Sequence, residues 1–267
     1  MKKHFEQQGG FGGSSPSLYN GNIRRATYGL RKVTDTIIGY AYGYDQLNRL
    51  VSMNAWNNFI PASFSWTNSG SALNKWKERT SYDANGNILS YIRHGSSPTT
   101  MDSLTYRYAT GKNQLTYVDD GVSSSNYTVD IDDQSSGNYT YDATGNLISD
   151  AAEEISLITW TVAGKVDSIA RTGGSTKDKL KFYYDATGNR VGKIVYKNSG
   201  ATIKTWYVRD AQGNIMSTYT QTKTSGNDTL KWSEQEIYGS ARLGNWSPNK
   251  RMYPNPTIIT TDTFHFS

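Results

Sequence analysis

The chain has 267 residues and a net charge of +5, and 36% of it is hydrophobic, 13% aromatic and 19% charged. The charged share is below the roughly 25% of ordinary soluble domains, which excludes charge-driven disorder. The absence of cysteine excludes disulfides, thiolate catalysis and cysteine-ligated zinc or iron, and no run of about 18 apolar residues exists to span a membrane.

Residues 1–18 are Gly/Ser-rich and read as a flexible segment. Met1–Phe11 has two lysines but no apolar core, so it is not read as a signal peptide. Gly9 to Gly13 follows no strand pattern and reads as linker, not phosphate loop. From residue 19 to 246 the chain alternates strand formers (Tyr, Val, Ile, Thr) with turn formers (Gly, Asn, Asp). Tyr40, Tyr42 and Tyr44 alternate with Ala41 and Gly43, which puts the three rings on one strand face. Tyr106/Tyr108, Tyr139/Tyr141 and Phe182/Tyr184 repeat that spacing, and Trp76 is read with Tyr82 in the same way. Asp150–Glu154 and Ser233–Glu236 each read as a single helical turn, and no segment sustains a 3.6 period. Residues 247–267 read as an irregular tail. The fold expected is all-β, built of antiparallel hairpins in a curved or spiralling sheet, with no internal linker that divides the repeats.

A short motif recurs between these strands. It stands at Tyr82-Asp83-Ala-Asn-Gly86-Asn, Tyr141-Asp142-Ala-Thr-Gly145-Asn and Tyr184-Asp185-Ala-Thr-Gly188-Asn. Tyr207-Val-Arg-Asp210-Ala-Gln-Gly213-Asn keeps the second half, with Tyr207 one strand period further back. Weaker copies are Tyr19-Asn-Gly21, Tyr44-Asp45-Gln-Leu-Asn48, Tyr108-Ala-Thr-Gly111 and Trp160-Thr-Val-Ala-Gly164. The Asp side chain suits the first position of a type I turn, where it accepts the N–H two residues on. The Gly then takes a positive φ and closes a three-residue hairpin loop with a bulge. Asn48 stands where the other copies have Gly, and Asn is the next most tolerant residue there.

Recurrence of Tyr-Asp-x-x-Gly-Asn-Leu/Ile at irregular spacing resembles the YD repeats of the rearrangement-hotspot (RHS) proteins, particularly those of Bacteroidetes. Tyr207–Ile215 and Ile237-Tyr238-Gly239-Ser-Ala-Arg242-Leu-Gly244 are similar to the last repeats before the core segment of that family. The resemblance implies a hairpin strip that spirals into a hollow shell around a C-terminal effector. It implies secretion or display at a bacterial surface, and as partners the remainder of a longer polypeptide and the enclosed effector. The family's self-cleaving core signature, Asp-Pro-x-Gly, does not follow Gly244, so no catalytic aspartate is carried over. Tyr253-Pro-Asn-Pro-Thr257 matches only the opening of a type IX sorting domain.

Chemistry is sparse. The basic pairs Lys2/Lys3, Arg24/Arg25 and Arg31/Lys32, and the alternating Lys177, Lys179 and Lys181, are scattered among acids and read as solvated faces, not a nucleic-acid stripe. His4, His94 (assigned to a loop) and His265 have no ligand spacing. No Gly-x-Ser-x-Gly elbow occurs. Asp130, Asp132 and Asp133, with Asp119 and Asp120 upstream, invite a calcium reading but miss the EF-hand register and read as a solvated loop. Asp150, Glu153 and Glu154 offer carboxylates without a visible pocket. The expectation is a structural, non-enzymatic shell segment with no cofactor and no metal. The alternative is a carbohydrate-binding module with platforms such as Trp56, Trp66, Trp76 and Trp232. Ile37–Tyr42 and Thr257–Thr261 lack Lys and Glu and read as unguarded edges through which the chain self-associates.

Overall fold

The computed structural model describes residues 18–29, 37–57, 59–60, 62–63, 65–66, 72–253 and 264–266. The N-terminal Gly/Ser stretch to Ser17, His4 and Thr257–Thr261 lie outside these residues. The described chain is all-β, without a helix, as the Tyr/Gly/Thr composition requires. It divides into two compact units, Met1–Gly137 and Asn138–Ser267, where the sequence suggested one unbroken repeat region. The boundary falls in residues 121–138, a connection of turns and bends with no strand of its own.

Unit one holds β1 (Arg25–Tyr28), β2 (Ile38–Tyr44), β3 (Leu50–Trp56), β4 (Phe59–Ile60), β5 (Ser65–Trp66), β6 (Glu78–Tyr82), β7 (Ile88–His94), β8 (Thr100–Tyr108) and β9 (Leu115–Asp120). Seven of them form one antiparallel sheet in the order β1-β2-β3-β6-β7-β8-β9, and β4 and β5 form a small hairpin in the β3–β6 connection. Trp66 of that hairpin packs with Ala41 and Trp56, joined by Ile37 and Phe59. Gly39 stands opposite Trp56, and the small residues on that face of β2 leave room for the two indoles. Unit two holds β10 (Tyr139–Tyr141), β11 (Leu147–Asp150), β12 (Ile155–Trp160), β13 (Val166–Arg171), β14 (Lys179–Tyr184), β15 (Arg190–Tyr196), β16 (Thr202–Arg209), β17 (Ile215–Thr224), β18 (Asn227–Tyr238), β19 (Arg242–Trp246), β20 (Lys250–Tyr253) and β21 (Phe264–Phe266). These form a sheet of antiparallel neighbours from β10 to β19, extended by β21 on β19 and by β20 on β18. Neither sheet closes into a barrel.

Several expectations are corrected. Ser233–Glu236 is not a helical turn but lies inside β18, where cross-strand pairing with β17 overrides the local polar run. Residues 151–154 form a tight turn, closed by Glu154 N–H donating to Ala151 O, with Glu154 at φ 55°. Trp76 lies outside β6 at φ 53°, so it does not share the alternation of Tyr82. The tail after Trp246 is not irregular throughout, because β20 and β21 add to the sheet. His94 ends strand β7 and is not in a loop. Ile37–Tyr42 is no edge: β2 is flanked on both sides by β1 and β3.

Candidate functional site

The motif turns lie along one edge of each sheet, and the five that carry an aspartate share one geometry. Asp142 Oδ1 accepts the N–H of Thr144 at 2.9 Å and of Asn146 at 2.9 Å, while Asn146 Nδ2 donates to Asp142 Oδ2 at 2.9 Å. Gly145 at φ 91° returns its N–H to Asp142 O at 3.1 Å. Asp83, Asp185 and Asp210 each accept the same pair of N–H groups, with Gly86, Gly188 and Gly213 at positive φ. Asp45 does the same, with Asn48 at φ 62° and Arg49 Nε donating to its Oδ2 at 2.6 Å. These donors favour the carboxylate. The Asn146 amide holds Asp142 down to about 2. Asp83 and Asp210 are lowered chiefly by the amides of Asn87 and Asn214, Asp185 by the Thr187 hydroxyl and Asp45 by the Arg49 N–H.

Successive turns are tied together by the residue that enters each one. Tyr44 Oη donates to Ile23 O at 2.9 Å, Tyr82 Oη to Leu50 O at 2.8 Å and Tyr108 Oη to Ile88 O at 2.9 Å. In unit two Trp160 Nε1 donates to Leu147 O at 2.8 Å, Tyr184 Oη to Val166 O at 2.9 Å and Tyr238 Oη to Ile215 O at 3.0 Å. In every case the acceptor lies two residues after the Gly, or Asn48, of the preceding turn. Arg209 makes the same rung, its Nε and Nη2 reaching Arg190 O at 3.1 and 2.9 Å. Tyr207 is therefore not the equivalent of Tyr184. It lies one strand period back, with the Arg190 guanidinium 5.4 Å from its ring. Sequence reasoning took these rings for face packing and missed the rungs. The available signal was that Tyr, Trp and Arg, the residues immediately before the turns, all end in a hydrogen-bond donor.

The last turn departs from the pattern. Gly239 occupies the Asp position, takes no positive φ, and donates its N–H to Ala241 O at 2.9 Å. Arg242 stands opposite Tyr238 and pairs with Glu236 at 2.6 Å.

The acidic groups regroup in a way the spacing did not show. Asp102 of β8, Asp120 of β9 and Asp130 converge, with carboxylate oxygens within 4.8 Å of one another, while Asp132 is not part of the cluster. Asp102 is fully buried and pairs with Arg93 at 2.5 Å, and it also accepts the Ile131 N–H at 3.1 Å. Asp120 accepts the N–H groups of Ser103 and Val122, and Asp133 accepts the N–H of Asp120. Asp130 has its carboxyl pushed up, first by desolvation and then by Asp132, Asp102 and Asp120. These groups pin the 121–138 connection against β9, and Val118 exchanges two bonds with Gln134 there. Asp119 pairs separately with Arg107 at 2.6 Å. Asp150, Glu153 and Glu154 do not converge as an acid pair. Asp150 accepts from Asn138, Glu153 pairs with Lys177 at 3.0 Å, and Glu154 accepts from Ser175.

Two of the proposed aromatic platforms are lost to the core: Trp56 and Trp66 are 4% and 5% exposed. Trp232 packs edge-on against Trp246 at 5.1 Å, and Lys75 lies over Trp76 at 4.5 Å. The lysines read as one solvated face have separate surroundings. Lys177 and Lys181 pair with Glu153 and Asp167, and Lys179 has no partner among the described residues. His94 Nε2 meets the Thr100 hydroxyl at 3.3 Å and no second imidazole, and burial lowers its pKa.

No family model and no curated protein matches the sequence. In fold, the chain is similar to parts of two solved structures. One is a Photorhabdus luminescens Tc holotoxin pore carrying a mutation in TccC3, with a TM-score of 0.40 and 13% identity over 86% of this chain and 13% of that one. The other is a crystal structure of TcdB2-TccC3-TEV, with a TM-score of 0.35 and 13% identity over the same shares. The chain spans about an eighth of the length of either.

Proposed function

We propose that this chain is a wall segment of a larger RHS/YD-repeat shell, structural in role and not catalytic. The observation that supports it is the rung from each turn-entry residue to the carbonyl of the preceding turn, repeated along both sheets. Such a series ties each hairpin only to its neighbours, which is how a repeat protein extends without a central core. Among the described residues the fully buried apolar set is correspondingly small, and Leu104 is its largest apolar member below 2% exposure. In this reading the partners are the rest of a longer bacterial polypeptide and an effector held within it, at the cell surface or outside the cell. Segment length, cargo and export are properties of that parent protein.

An excised wall segment ends in strands paired on one side only. Among the described residues β1 and β10 are such strands, and unpaired edges recruit other chains. The isolated 267-residue chain should therefore self-associate. Light scattering combined with small-angle scattering measures this, and a monodisperse, compact monomer near 29.7 kDa would sink the wall-segment reading.

A further inference from the structure

A cavity of about 450 Å³ lies at the edge of unit two opposite the motif turns, between the β13–β14 and β15–β16 connections. Four cations line it, Arg171, Lys177, Lys179 and Lys197, and no carboxylate does. Two of these charges are answered from outside the wall, Lys177 by Glu153 at 3.0 Å and Lys197 by Asp178 at 2.7 Å. Arg171 donates to the carbonyls of Asp178 and Glu153, at 3.0 and 2.7 Å. Those bonds orient the guanidinium, whose charge also acts on the Asp178 carboxylate that Lys197 pairs with. Lys179 has no anionic partner among the described residues and is exposed. The cavity therefore carries a net positive charge, with Lys179 unanswered among the described residues and Arg171 pre-oriented.

The remaining lining shows what else the site would accept. Ser175 N–H closes a turn onto Thr172 O, and the Gly173 and Gly174 N–H groups at its tip find no acceptor among the described residues. Two adjacent amide donors in a turn are a common oxyanion cradle. Gly173 has an ordinary φ, and a Cβ there would meet nothing within 4 Å, so neither backbone nor packing demands glycine. Its small size does keep the approach to those donors open. The Thr172 hydroxyl and the Asn198 side-chain amide also line it, with no hydrogen-bond partner among the described residues. Tyr196, directly opposite Lys179 across β14 and β15 and 45% exposed, supplies the one ring face.

From this lining we infer that the cavity binds a sugar carrying an oxyanion, either a sulfate or phosphate ester or a uronate carboxylate. The anion would sit on Arg171, Lys179 and the Gly173–Gly174 amides. The hydroxyls would meet Thr172 and Asn198, and the ring would stack on Tyr196. No second aromatic or aliphatic wall is present to sandwich a nucleobase. This inference does not depend on the shell reading.

Calorimetric titration of the full chain with a sulfated heparin disaccharide, digalacturonate, cellobiose, sodium sulfate and ATP tests it. The expected result is saturable binding of one or both acidic disaccharides, with the sulfated and the uronate arms separating the two anion sources. Binding should weaken with added salt, and by roughly fivefold to tenfold in Lys179→Gln and Tyr196→Ala. Gly173→Leu should lose binding at an unchanged melting temperature, which guards against a folding artefact. Equal binding of cellobiose or of sulfate alone, tighter binding of ATP, no binding of either acidic disaccharide, or indifference to Lys179→Gln would each overturn the assignment.

Discussion

The two edges of each sheet are built on opposite principles. Along one edge most turns share one geometry: an aspartate clamp in five of them, a residue at positive φ in all but the last, and rungs to the preceding turn. Along the other edge the connections differ in length and carry no aspartate clamp, though the β15–β16 link closes with the same backbone bonds and a positive-φ Gly200. One contains a whole hairpin (β4–β5), two neighbouring ones line the cationic cavity, and the β17–β18 link is only Ser225 and Gly226. The first edge sets the stacking of the hairpins, and the second is available for variation. One site breaks this division, because Asp102, near the variable end of β8, is as firmly held as any motif residue.

The largest effect is therefore expected at that exception. Asp102→Ala leaves the Arg93 guanidinium beside two remaining carboxylates and removes the acceptor for Ile131 N–H, at a cost of about 3 kcal/mol. A urea midpoint equal to that of the unsubstituted chain would show that the cluster does not hold the 121–138 connection. Next comes the motif edge itself. Gly188 sits at φ 84°, where a β-branched side chain is strained, so Gly188→Val should destabilise by about 2 kcal/mol. Lys181→Ala, which removes a half-exposed pair with Asp167, should change stability by at most about 1 kcal/mol. If denaturation curves show these two alike, the turns are not special.

The aspartate clamps also give the motif edge a pH signature. Five turn carboxyls are lowered when folded, so their contribution is present above the usual carboxylate range near about 4. It is lost as pH falls toward about 2, the value of Asp142. Asp130 acts in the opposite sense. Its raised carboxyl favours the fold when protonated, a contribution lost as pH rises through its folded value. Stability should change little in mild acid and then drop below about pH 4. Asp142→Asn should flatten part of that drop, and a profile unchanged by the substitution would remove the clamp from the account.

Smaller effects test the rungs and the variable edge. Tyr184→Phe removes one hydroxyl bond between turns, worth about 1 kcal/mol, whereas Tyr183→Phe, on the exposed face, should be nearly silent. Equal losses would mean that the ring and not the hydroxyl carries the contact. Last, a Gly-Ser-Gly insertion between Ser225 and Gly226 should cost about 0.5 kcal/mol or less. The same insertion between Ala186 and Thr187 should cost several times more, and an equal cost would erase the distinction between the edges.

The sequence alone determined the turns, because their chemistry is local. Asp142 reaches groups two and four residues away, and the left-handed residue is Gly or Asn for a reason internal to one residue. Strand alternation around Tyr40, Tyr42 and Tyr44 was legible on the same ground. The tertiary structure decided everything that joins residues distant in the chain. Tyr184 and Val166 meet because two hairpins stack in register, and Arg209 replaces a tyrosine because only the donor at its tip matters. Trp56 and Trp66 became core because the β4–β5 hairpin folds onto the small residues of β2, which no strand pattern foretells. Asp102, Asp120 and Asp130 converge from two strands and a connection, and Arg171 and Lys179 share a cavity formed where two neighbouring connections meet. A spacing rule sees one element at a time; pairing between elements is what brings these charges together.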